Sequence, residues 1–139
     1  MRIATLFVAV VTFCVLATSS RPMPQGKPPI DTWLERELAK DSSTAGQRKA
    51  VHEAARRWDK EMNRAYEKLR HGLDSKQRRS LQHAQRAWVA YRDAEANLIN
   101  SIYAKKQGTM WPPMKDNDHM AIIRARALQL REYDQLLKD

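Results

Sequence analysis

The residues able to do chemistry in this chain are few and do not converge. His52-Glu53 opens like the zinc helix motif His-Glu-x-x-His, but the second histidine position holds Arg56, so the ligand pair is incomplete. His52, His71, His83 and His119 share no ligand spacing. No Gly-rich phosphate loop or Gly-x-Ser-x-Gly turn occurs, and no cofactor motif is present. Catalytic sites need convergent acids, bases or nucleophiles, so the expectation is a protein that is not an enzyme and uses no metal or cofactor. The informative polar residues are Asp59, Asn63, Gln85, Arg92, Asp93 and Glu95, interleaved with the aromatics Trp58, Tyr66, Trp88 and Tyr91. Trp88 and Arg92 are four apart, which lets a guanidinium lie over an indole on one helix face. Glu95 falls within an apolar stripe, where a lone carboxylate is costly to bury and needs a cation. Such a layer reads first as a register lock between helices and second as a recognition patch.

The elements that position these residues are helices. A short one is expected from about Asp31 to Lys40, with Thr32 and Glu35 in capping-box spacing. A second runs from about Thr44 to His71, capped by Ser43 or Thr44 and closed by Gly72 in a left-handed C′ position. Its stripe is Val51, Ala55, Trp58, Met62, Ala65 and Leu69, alternating in fours and threes. The third starts at Asp74 or Ser75 and continues to about Gln107, carrying Leu81, Ala84, Trp88, Tyr91, Glu95, Leu98 and Ile102. The fourth spans about Asn117 to Leu137, with Met120, Ile123, Ala127, Leu130, Tyr133 and Leu137 inward. The two-residue link Gly72-Leu73 implies an antiparallel hairpin. Its register sets Trp58 near Trp88, Asp59 near Arg92, Asn63 near Gln85 and His52 near Glu95, with Arg124 or Arg126 available to Glu95. The fold class is all-α: an antiparallel bundle of about four helices built on a long helical hairpin, without sheet. The segment Gly108 to Met114 is apolar for a loop. Met110, Trp111 and Met114 there either pack back on the bundle end or form a partner surface.

The chain has 139 residues and a formal charge of +9, consistent with one basic domain. Residues 1–19 read as a signal peptide: Arg2, then the apolar run Ile3 to Ala17, then small residues permitting cleavage after Ser19 or Ser20. Phe13 before Cys14 argues against a lipid anchor, and removing the leader removes the only cysteine and with it any disulfide. Residues 20–29, rich in proline, read as a flexible linker before a domain over 30–139. Export to the periplasm or beyond follows. The excess of Arg48, Lys49, Arg56, Arg57, Arg64, Arg78, Arg79 and Arg86 suits an anionic partner: lipopolysaccharide, anionic lipid or extracellular nucleic acid.

The run Trp58-Asp59-Lys60-Glu61-Met62-Asn63-Arg64-Ala65-Tyr66, followed by Ala84-Gln85-Arg86-Ala87-Trp88-Val89-Ala90-Tyr91-Arg92-Asp93, resembles the lysozyme-inhibitor LprI-like N-terminal domain family. Ser43-Thr44-Ala45-Gly46, Gly108-Thr109-Met110 and Arg124 to Leu130 fit the same pattern, so the likeness covers about residues 30 to 137. The resemblance implies an exported helical domain that binds a cell-envelope protein, lysozyme among the candidates. It also implies paired cysteines in many members, one near Ala50; this chain departs from them there. Oligomeric state is left open by all of these features.

Overall fold

The computed structural model describes residues 26–138; the leader, Cys14 and most of the linker lie outside the described residues. Among the described residues four helices follow in order: α1 (Pro29–Lys40), α2 (Thr44–Gly72), α3 (Ser75–Tyr103) and α4 (Trp111–Leu136). No strand occurs among the described residues, and the all-α bundle is as the periodicity dictates.

Local chemistry sets most of the helix ends. Ser43 caps α2 by accepting the Gly46 N–H, and Asp74 and Gln77 cap α3 reciprocally. Other ends depart from expectation. The Thr32–Glu35 capping box does not form: α1 starts at Pro29, and the Pro28 carbonyl accepts the Asp31 and Thr32 N–H groups. Proline fits there because the first helical N–H groups have no intrahelical partner to lose. The same reason carries α4 back to Trp111, with Pro112 and Pro113 in its first turn, so much of the expected apolar loop is helix. Gly72 remains helical, and α2 ends on an extended Leu73. An added Cβ at Gly72 would lie 3.2 Å from Leu137 Cδ1, so its smallness serves a close approach of the C-terminus. The one left-handed residue described is Gly108, with φ +110°, in the turn that separates α3 from α4.

The core forms chiefly where α2 meets α4, the most extensive interface in the molecule, with α1 laid on α2. Val51, Ala54, Trp58, Met62, Ala65 and Leu69 from α2 interlock with Met120, Ala127 and Leu130 from α4, and Leu34 of α1 closes one side. The heptad stripe of α2 is therefore real, with Ala54 taking the fully buried place expected of Ala55. Its principal partner is α4, whereas the two-residue link between α2 and α3 predicts α3. Helix α3 packs mainly on α4. Its inward side is Leu81, Gln85, Trp88, Arg92 and Ile99, while Tyr91, Leu98 and Ile102 are about half exposed. Tyr91 is thus no core aromatic. Trp58 is fully buried, and Tyr66 and Trp88 pack partly buried against the core. Tyr133 and Leu137, expected inward on α4, are also exposed.

Candidate functional site

Polar ties run across the helix interfaces, four of them at successive levels along α4, and most of these use residues outside the expected layer. Asp116 sits in the inward rung of α4, between Pro113 and Met120, with its side chain 8% exposed. It accepts Arg48 Nε at 2.8 Å and lies 2.9 Å from His52 Nε2, joining α4 to α2. His52 therefore meets Asp116 and not Glu95. One level on, Arg124 donates three hydrogen bonds of 2.6–3.0 Å to Asp31, tying α4 to α1. Its guanidinium lies 5.5 Å from the Trp58 ring centroid. The Asp31 bond, outweighing desolvation, raises the affinity of Arg124 for its proton.

Arg126 occupies the third level and is 7% exposed, with no carboxylate beside it. It donates to Gln85 Oε1 at 2.9 Å and Gln129 Oε1 at 2.5 Å, and its Nη2 has no partner. Burial lowers its proton affinity, because a desolvated cation with only neutral acceptors is under-compensated. At the fourth level Asp134 accepts both Lys138 and Lys68, bonds that hold its carboxyl below the ordinary range.

The expected layer of Asp59, Asn63, Gln85, Arg92, Asp93 and Glu95 is accordingly divided. Asn63 donates to Asp59 at 3.2 Å within α2, and neither reaches Arg92. Gln85 lies 3.9 Å from the Met62 sulfur and borders a shallow groove that Asn63 also lines. Arg92 pairs with its neighbour Asp93 at 2.8 Å and stands 5.5 Å from the Trp88 centroid, the cation–π pairing read from their spacing. Glu95 is half buried and has no ion-pair partner among the described residues; Arg124 and Arg126, its supposed partners, are bound elsewhere. The physical cause is the rotation of α3, which leaves Glu95 at the edge of the packed face where water can solvate it. Asp116 could have been found by the logic applied to Glu95. Once α4 is extended to Trp111, positions 113, 116, 120, 123, 127 and 130 form a stripe with a carboxylate in it. Arg126 carried no such signal.

At the α3–α4 corner, Met110 is 59% exposed and Met114 is 44% exposed. Trp111 is held between them: its ring lies 6.3 Å from Tyr103, tilted by 59°, with Lys106 Nζ 5.1 Å from its centroid. Tyr103 donates to Asp118 at 2.6 Å. That bond, then burial, then the Asp118 charge hold the Tyr103 phenol above its ordinary value. The raised value favours the protonated form in the fold. Its contribution to stability is full below the ordinary phenol value of about 10 and is lost as pH rises through the folded value. In an ultraviolet titration, Tyr103 should ionise after an ordinary phenol does, and Asp118→Asn should bring it back toward the others; an unchanged titration curve would contradict the bond.

A depression of about 510 Å³ lies between the start of α1 and α2, with Pro28, Pro29 and Ile30 on its apolar side and the buried Trp58 beneath them. Arg57, Lys60, Arg64 and Arg131 surround it against one acid, Glu61. The basic residues of α2 are largely neutralised, Arg57 and Arg64 of this depression included: Arg48 by Asp116, Arg56 and Arg57 by Glu53, and Arg64 by Glu61. No group of three or more metal-ligating side chains occurs among the described residues.

These features define a four-helix domain with polar ties between its helices and an apolar corner at one end. The chain belongs to the lysozyme inhibitor LprI family, whose model matches residues 36–130. It is also similar to a solved structure described as a putative uncharacterized protein from Burkholderia thailandensis, at 34% identity and a TM-score of 0.76. That likeness covers 82% of this chain but 57% of the other, so the present chain spans little more than half the length of that relative. None of the curated proteins matches it.

Proposed function

We propose that this chain is an exported, non-catalytic binding module of the cell envelope that acts on lysozyme or a related envelope protein. The carrying observation is membership of the lysozyme inhibitor family over residues 36–130. Two structural features support it. The α2 arginines are mostly engaged by acids of the same fold, which weakens the case for a continuous anion-binding face. The exposed Met110 and Met114 beside Trp111 offer adaptable apolar contact of the kind used at protein interfaces.

A second reading rests on the depression ringed by Arg57, Lys60, Arg64 and Arg131, whose charge and apolar wall suit an anionic lipid or polymer. Ionic strength separates the two. In a cell-wall lysis assay, micromolar purified protein should protect against lysozyme, and protection should hold with added salt, because an apolar contact is not screened. An anion contact should instead weaken steeply with salt. Absence of protection at both salt concentrations would remove lysozyme as the partner.

A further inference from the structure

We infer that the outer face of α3 is a self-association surface, on which a second copy of this chain packs antiparallel. Helix α3 has 29 residues, yet Leu81 and Ile99 are its only buried ones. Isolated helices are marginal in water, and most helix stability comes from burying an apolar face. Beside the side that packs on α4, the residues Ala84, Ala87, Tyr91, Ala94, Leu98 and Ile102 are all exposed. At ~100° per residue they fall within an arc of about 80°. The charged side chain that borders the arc is Glu95, half buried and about 20° beyond its edge on the side toward α4.

The order of large and small residues identifies the occupant. A two-fold axis passing near residues 92 and 93 sets Ile102 against Ala84, Leu98 against Ala87 and Tyr91 against Ala94. Each large side chain meets an alanine, and the symmetry repeats every pair. A two-fold interface must be self-complementary in this way, whereas an unrelated partner imposes no such order. Alanine opposite a bulky residue lets two helices approach closely and interdigitate. The contact runs ~28 Å along the helix. Such a pairing buries on the order of 1,000 Å² in total, the size of a weak, reversible interface. The surface is distinct from the residues invoked for partner binding at the α3–α4 corner, so mass and lysis protection are separate readouts.

Sedimentation velocity on the purified protein over about 5 to 500 µM brackets a weak interface. The mass should rise from monomer toward dimer with concentration. Leu98→Glu places a carboxylate against Ala87 of the second copy and should hold the protein monomeric, with an unchanged helical circular dichroism spectrum, since Leu98 is 52% exposed in the protomer. Val89→Glu lies elsewhere on the same helix and should leave dimerisation intact. Adding Ala87→Lys to Leu98→Glu sets an ammonium opposite each new carboxylate and should restore the dimer. A wild-type protein that stays monomeric throughout, or a dimer indifferent to Leu98→Glu, overturns the inference. Failure of the double variant to recover overturns the antiparallel register.

Discussion

Replacing Trp58 by alanine should lower the unfolding free energy by about 3–5 kcal/mol, the usual cost of emptying an aromatic site in a core. Trp58 has no exposed surface and sits among α2 and α4 residues, with the Arg124 guanidinium beside its ring. No single helix can close the resulting space, because the walls are held by the Arg124–Asp31 and Arg126–Gln85 bonds. Trp58→Phe should be far milder, about 1 kcal/mol, since the indole Nε1 lacks an acceptor and its removal leaves nothing unpaired. Urea denaturation followed by circular dichroism measures both. Equal losses in the two variants would mean that the indole N–H has a partner in solution, contrary to the structure.

The second large effect is expected at Asp31. Asp31→Ala removes three hydrogen bonds between α1 and α4 and leaves the Arg124 guanidinium without its carboxylate. A fully buried charge left alone costs about 3–5 kcal/mol. Arg124 is 35% exposed and can turn toward water, which reduces the expected loss to roughly 1–2 kcal/mol. Asp31 also lies in the first turn of α1, where a carboxylate complements the helix dipole. Amide exchange should accelerate in α1 more than in α2. A uniform change along the chain would show that α1 does not depend on this tie.

The two substitutions differ in how readable they were. Trp58 stood at the centre of a heptad stripe, and its burial follows from spacing alone. Asp31 reads from the sequence as the start of a helix, and nothing near it indicates a partner 93 residues away. The same contrast divides the polar layer. Arg92 over Trp88 is local, four residues along one helix, and it forms. The cross-helix pairs, His52 with Glu95 and Asp59 with Arg92, required a particular rotation of α3 and do not form. The apolar corner was legible in composition, but its helical state was not, because Pro112 and Pro113 read equally as breakers or as a first turn.

Residue spacing by itself determined that this chain is a helical bundle, where α2 lies, and that Trp58, Met62, Ala65 and Leu69 point inward. Those properties depend on contacts within a few turns. Which helix covers that stripe was decided only in three dimensions. An apolar row specifies burial but not the partner that provides it, and α4 competes with α3 for the same surface. With α4 in place, α3 turns its Gln85 and Arg92 side inward, Arg126 is drawn to Gln85, and Tyr91, Leu98 and Ile102 are left facing outward.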